Sequence, residues 1–419
     1  MKVFHYYDGD VLDQGQYTRL LNKGLIHSRD VTYSQNNANA RLNTVGFSIN
    51  TRDEVLLVFP KHYRVDKSNP LASFRAVFRS LQRASEIATT SSGGPSLPQS
   101  DEHGFSCNYP FRAYFQIYRH FTTHGLHFKQ IQTLNTNSGK VNWKATIARS
   151  NYYLVQKCIQ IFPIQRHHRI NATHIITDAM IYAINHTADT FGTLLGIRRI
   201  SAECSFTIHP QSYDWLIFQL RSYRNIVFDD RTVDLIDRLI EFYSSLNHGC
   251  GYHFKCSNFA YVWELAVASY LSQHFSHFEC STAVFDERCT SQLSFSKLPI
   301  SHTNAANPLQ RIEIDHYAYD STRETQYLFD AKYYGAITGL DYKQIYYTLT
   351  MLLDPKRLDC TTYSALILPS LTPGTVTHFV FDDRFGRHLP KHWRNLEIYE
   401  IYLDCASVIN SFSMSSLDC

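Results

Sequence analysis

The stretch QRIEIDHYAYDSTRETQYLFDAKYYG, residues 310–335, consists of two alternating apolar runs joined by the polar DSTRETQ, the pattern of a β-hairpin. Successive strand residues point to opposite faces. In RIEIDHY, alternation places Ile312 and Ile314 on one side and Glu313 and Asp315 on the other. In YLFDAKYY it groups Tyr327, Phe329, Ala331 and Tyr333, with Asp330 and Lys332 opposite them. Closing the hairpin brings Asp315, Asp330 and Lys332 to one surface. Two carboxylates buried side by side are costly unless a cation joins them. Mg²⁺ suits such a place, being a hard ion held by one or two carboxylates plus water and phosphate oxygens.

The rest of the chain sets the context. Its 419 residues allow two or three domains, and 44% hydrophobic with 18% charged residues describes a folded protein. A formal net charge of +3 neither demands nor excludes nucleic acid, since a local basic groove would serve. MKVFHYYDGDVLDQ lacks the parts of a signal peptide, and no apolar run approaches the roughly 18 residues of a membrane span. The ten cysteines are scattered without a CxxC pair, which reads as free thiols in a reducing compartment. The expectation is a cytoplasmic protein without a membrane partner. No GxxxxGK[ST] loop is present, so the chain carries no recognisable nucleotide motor.

Along the chain, VGFSI (45–49) and VLLVF (55–59) read as a hairpin. Phe74, Val77, Phe78 and Leu81 recur at helical spacing after it, with Arg75, Arg79 and Arg83 as a stripe on the other side. The Ser/Gly/Pro-rich 89–104 reads as a linker. Residues 108–246 are mainly helical in pattern, with candidates at 110–121, 174–190 and 231–246. QRHHR (165–169) reads as a basic cluster in a loop. The remainder mixes strands and helices: a helix at 257–272, strands near 279–286 and 291–296, the hairpin, a helix at 341–353, strands near 362–368 and 376–381, and a last strand and helix at 396–412. The expected fold class is α/β (α+β) and multidomain: a mixed N-terminal domain (1–105), a helical middle region (106–246), and a C-terminal domain (247–419) with a central mixed sheet flanked by helices.

Two neighbours reinforce the hairpin's chemistry. Glu264 is the only charged residue in SNFAYVWELAVASYLS (257–272), within a helical row that faces a core. Gln344, in GLDYKQIYYTLTMLL, begins a helix immediately after the lysine strand, with Tyr347 one turn on.

An Asp, fourteen residues, then Asp-x-Lys resembles the active site of the PD-(D/E)xK nuclease superfamily. The resemblance implies that Asp315, Asp330 and Glu264 hold a divalent metal, Mg²⁺ with Mn²⁺ as substitute. It further implies that Lys332 positions or deprotonates the attacking water and that Gln344 faces the site. Ile314 stands where the family name has proline, and Glu313 is an alternative ligand. DAKYY followed by an Asp-x-x-Gln helix, SGKVNWKATI (138–147) and LLVFPKHYR (56–64) together resemble the McrC-like and LlaJI-like nuclease subunits of restriction systems. That resemblance implies an endonuclease subunit driven by a separate McrB-like GTPase and acting on DNA as a dimer or higher assembly.

RFGRHLPKHWR (384–394) offers Arg384, Arg387, Lys391 and Arg394 as phosphate contacts. The alternatives are a nuclease of the same core in repair, transposition or signalled defence, and a non-catalytic assembly subunit. His167 and His168 lack HExxH spacing, which speaks against a histidine–metal hydrolase.

Overall fold

The computed structural model describes residues 2–34, 37–91, 103–134, 140–172, 174–205, 207–246, 251–286, 293–301, 306, 307, 309, 311–335, 337, 339, 341–354, 360–380, 382, 384 and 396–414. The chain forms two compact units, one of Met1–Asn108 with Gly249–Cys419 and one of Tyr109–His248. Most of the expected linker falls outside the described residues.

The N-terminal segment contains β1 (Lys2–Tyr7), β2 (Val11–Leu12), α1 (Gln14–Asn22), β3 (Val31–Ser34), β4 (Asn37–Leu42), β5 (Val45–Ile49), β6 (Glu54–Phe59), α2 (Pro70–Ser91) and β7 (Phe105–Cys107). The second unit contains α3 (Phe111–His124), β8 (Lys129–Leu134), β9 (Lys140–Val141), α4 (Trp143–Arg149), β10 (Asn151–Val155), β11 (Cys158–Phe162), β12 (Arg166–Ala172), α5 (Ile175–Leu195), α6 (Tyr213–Arg224) and α7 (Asp230–Ser245). The C-terminal segment adds β13 (Tyr252–Cys256), α8 (Phe259–His274), β14 (Phe275–Glu279), β15 (Thr282–Phe285), β16 (Ser296–Ile300), β17 (Ile312–Asp320), β18 (Thr325–Ala331), α9 (Tyr342–Leu352), β19 (Thr361–Ser370), β20 (Gly374–Val380), β21 (Glu397–Asp404) and α10 (Cys405–Met414).

Residues 1–105 and 247–419, read above as separate domains, share a sheet of order β1-β6-β5-β13-β7. β13 pairs antiparallel with both β5 and β7. The approach is close: a Cβ on Gly46, whose φ is +145°, would lie 2.1 Å from the Phe254 carbonyl oxygen. Only glycine accepts both that backbone and that contact. The Phe74, Val77, Phe78 and Leu81 face of α2 is buried as its spacing predicts, with Phe47 against Phe74 and Phe78. The arginine stripe is not simply a solvated face. Arg83 donates from Nη1 to the Phe412 carbonyl at 2.8 Å, placing a cation at the negative end of α10. On the β6 side, Leu56 and Val58 join Leu12, Leu20, Leu25, Val31 and Leu42 in a second core. Lys255 and Asp30 form an ion pair of 2.6 Å with both side chains nearly inaccessible.

The C-terminal sheet has the order β16-β17-β18-β19-β21-β20. β18, β19 and β21 run parallel to one another, and the outer pairings are antiparallel. α9 forms the crossover from β18 to β19. It packs Ile345, Leu349 and Leu352 against Leu366, Leu368 and Ile398. The opposite face carries Tyr327 and Phe329 against Phe275, and Trp263 of α8 reaches the Ile367 carbonyl. The expected mixed sheet with helices on both faces is therefore present.

The Tyr109–His248 unit contains the three expected helices and adds α4 and α6. Phe111, Tyr114, Ile117, Ile184, Phe191, Leu239 and Phe242 are buried in it. It also holds strands that helical periodicity does not announce: the sheet β8-β12-β9 and the hairpin β10–β11. QRHHR enters strand β12 rather than a loop. Among the described residues, no helix is long and apolar enough to cross a membrane.

Candidate active site

The β17–β18 register ends with His316 paired to Phe329, and Asp315 and Asp330 are the next residues on the two strands. The two carboxyl groups hydrogen bond to each other. Asp330 is 1% exposed, and its carboxylate lies 2.6 Å from the Lys332 ammonium. Asp315, Asp330 and Lys332 are thus brought together. In β18 the alternation holds as read: Leu328 packs on Tyr347 and Met351 of α9, whereas Tyr327 and Phe329 face the other layer.

In β17 simple alternation fails. Ile314 joins Leu328 and Tyr347 on the Asp330 side instead of pointing away from Asp315. The cause is a register shift against β16, where Ser296 pairs with Tyr317 but Leu298 with Ile314. The extra β17 residue is a bulge, which turns neighbouring side chains to one side.

Electrostatics follow from this crowding. Burial, the hydrogen bond to Asp330, and the charges of Asp330 and Glu264 raise the Asp315 carboxyl to about 8, with Lys343 opposing. Burial also disfavours a charged Asp330, yet the Asp315 and Lys332 hydrogen bonds hold it below the usual carboxylate range. One proton and one negative charge are therefore shared by the pair. Lys332 is held protonated against burial by Asp330 and, at 3.6 Å, by Asp341.

Glu264 does not join the two aspartates directly. Its carboxylate lies 2.7 Å from Lys297 on β16, and Lys297 also reaches Glu313 at 3.4 Å. Glu264 is partly exposed rather than core-facing. Gln344 is fully buried, and its amide donates to the Leu328 carbonyl at 2.9 Å and to Ser364 Oγ at 2.8 Å. Its hydrogen bonds tie α9 to β18 and β19, so it holds the Asp330 strand in place from within the fold. Of the basic stretch, Arg384 is exposed and paired with Asp382 at 2.8 Å; Arg387, Lys391 and Arg394 lie outside the described residues.

Two residues, Lys297 and Lys343, escaped the sequence reading, and the structure gives the Asp-x-x-Gln pattern its cause. Asp341 caps α9, accepting from the Gln344 N–H at 3.1 Å, which explains the Asp-x-x-Gln spacing. Lys343, one residue before Gln344, is exposed, with its ammonium 5.1 Å from the Tyr347 ring centroid and Asp330 and Asp315 acting on it. Lys297 sits on a strand without an acidic motif to mark it.

Among the described residues, no group of three or more His, Cys, Asp or Glu is arranged to hold a metal. The Asp315–Asp330 pair still fits a hard divalent cation. Its donors are carboxyl oxygens, and the mutual crowding that raises Asp315 is what a shared cation would relieve.

A family model described as LlaJI restriction endonuclease matches residues 45–345. No curated protein matches the chain. One solved structure is a refined half-complex from a tetradecameric assembly of Thermococcus gammatolerans McrB AAA+ hexamers with bound McrC. It is 13% identical, covers 98% of each chain and has a TM-score of 0.40. The cryo-EM structure of the Thermococcus gammatolerans McrBC complex is also 13% identical. It covers 60% of this chain and 82% of that one, with a TM-score of 0.25. At these scores neither likeness carries an argument.

Proposed function

The chain belongs to the LlaJI restriction endonuclease family, and on that premise we propose that it hydrolyses DNA phosphodiester bonds at the Asp315–Asp330–Lys332 cluster. The observation that carries this reading is the meeting of those three side chains at one strand pair, with the Lys332 ammonium 2.6 Å from the Asp330 carboxylate. Asp315 and Asp330 would hold Mg²⁺, or Mn²⁺ in its place, and Glu264 would complete the site on leaving Lys297. When bound, the metal supplies neutralisation of the phosphodiester and an acidified water. The protein's own part is then clear. Asp330, fixed by burial and by Lys332, would orient the site, and Asp315 would act as a ligand in its deprotonated form. Lys332 stabilises negative charge that develops on the phosphate oxygens. Lys343, whose charge acts on Asp330 and Asp315, would supply a second phosphate contact, and Arg384, Arg387, Lys391 and Arg394 are proposed contacts for the DNA backbone.

The proposed partner is a separate McrB-like GTPase. It rests on the sequence resemblance of DAKYY, SGKVNWKATI and LLVFPKHYR to McrC-like subunits, together with the missing nucleotide loop. Cutting both strands calls for two such sites, so we propose a dimer or higher assembly in the cytoplasm.

Plasmid cleavage in Mg²⁺, with and without the candidate GTPase, tests the reading. Asp330→Ala and Lys332→Ala should each lower cleavage by about 100-fold or more. Wild-type rates in both variants would refute the assignment.

A further inference from the structure

β18 ends at Ala331, so the catalytic lysine lies just beyond the strand. Its backbone is tied to the sheet by the Lys332 N–H donating to the Ile367 carbonyl at 2.8 Å. What fixes the next residue therefore bears directly on where the ammonium points. Tyr333 is 7% exposed, and its hydroxyl accepts from the Lys61 N–H at 2.7 Å and bonds to the Asp8 carboxylate. The Lys61 ammonium stands 4.7 Å from the Tyr333 ring centroid and 3.7 Å from Asp8, and the Phe259 ring packs 5.0 Å away.

Both hydroxyl partners come from the N-terminal sheet. Asp8 follows β1, Lys61 follows β6, and these strands are parallel neighbours. Lys61 belongs to a turn closed by the Tyr63 N–H to the Pro60 carbonyl at 3.2 Å, with His62 at φ +58°. Tyr63 stacks on Phe59 at 5.6 Å, and Arg64 donates to the Leu371 carbonyl at 3.0 Å, just past β19. The turn thus touches the exits of two neighbouring parallel strands of the C-terminal sheet. Burial raises the Asp8 carboxyl and keeps the Tyr333 hydroxyl protonated, so the hydroxyl stays a donor. A packing tyrosine would need only one local acceptor. This one is held from two sides by the ends of two strands from another sheet.

We propose that Tyr333, clamped by Asp8 and the Pro60–Tyr63 turn, is a positioning residue that sets Lys332 for cleavage and couples the N-terminal sheet to the active site. The inference rests on the nuclease reading for its catalytic half and on geometry alone for its clamp.

Tyr333→Phe in the full chain tests both halves, because it keeps the ring and removes the hydroxyl. The clamp predicts faster amide hydrogen exchange over 330–334, by about tenfold for one lost hydrogen bond, with exchange in β19 unchanged. In plasmid cleavage it predicts a kcat loss of similar size with KM within about twofold. Asp8→Ala, which leaves the hairpin untouched, should move both readouts the same way and guards against a folding defect in Tyr333→Phe. Unchanged exchange over 330–334 in both variants would overturn the clamp. Faster exchange with unchanged kcat would overturn the positioning role. An inactive wild type would overturn the nuclease reading, and the exchange comparison would still decide the clamp.

Discussion

The Asp330 carboxylate and the Lys332 ammonium stand 2.6 Å apart on the same side of one chain segment, while Asp315 hydrogen bonds to Asp330 from the next strand. Three ionisable groups thus share one buried place, and their balance changes with pH. Asp315 is raised to about 8 by burial and by Asp330, far above an unfolded aspartate near 3.9. A carboxyl with a raised folded value contributes stability that is complete below its unfolded pKa and is lost as pH rises through its folded one. The metal-free protein should therefore melt at progressively lower temperature as pH rises from about 4 to about 8, with little further change above that, and millimolar Mg²⁺ should reduce the decline. Calorimetric scans across that range, with EDTA and with Mg²⁺, check it. A decline of equal size in Asp315→Asn would show that another group is responsible.

The Lys297 ammonium lies 2.7 Å from the Glu264 carboxylate. Removing it in Lys297→Met frees the carboxylate for a metal, so Mn²⁺ affinity should rise several-fold. Glu264→Gln should lower it by about tenfold, the scale of a lost supporting ligand. Titration calorimetry with Mn²⁺ reads both. Weaker binding in Lys297→Met would mean that the lysine supports the site instead of competing for it.

Gln344 predicts a different outcome from an active-site glutamine. Gln344→Leu removes the donor for the Leu328 carbonyl and for Ser364 Oγ in a fully buried setting. The cost should be about 1–3 kcal/mol per group left unsatisfied. Urea unfolding should show a lower midpoint, and any activity loss should shrink at low temperature, where the fold is intact. A wild-type midpoint with abolished cleavage would restore the direct role that the sequence suggests.

In the N-terminal sheet, Lys255→Met leaves Asp30 buried at 5% exposure without its cation. Such a break should cost about 3–5 kcal/mol. Breaking the exposed Arg199–Asp189 pair should cost no more than about 1 kcal/mol. Denaturant midpoints of the two variants provide the comparison.

The hairpin was legible because β18 obeys alternation, so Asp330 and Lys332 could be assigned a common face from the letters alone. β17 was not, since a bulge adds a residue without leaving a sequence mark, and Ile314 follows Asp315 to the α9 side. The α2 face and the α9 crossover were readable from apolar spacing. The joining of β13 to β5 across some two hundred residues was not, because strand partners distant in sequence leave no local pattern. β10 and β11 are almost wholly exposed, so no buried face marks them as strands. Lys297 and Lys343 were missed for a common reason. Each is an unremarkable surface residue type until the fold sets it beside an acid.

The most direct test is a crystal of the full chain soaked in Mn²⁺ and measured at the manganese absorption edge. The account predicts an anomalous peak about 2.1–2.3 Å from one oxygen each of Asp315 and Asp330, with Glu264 turned from Lys297 toward it. No peak at that pair in millimolar Mn²⁺, or a peak confined to other residues, would contradict it.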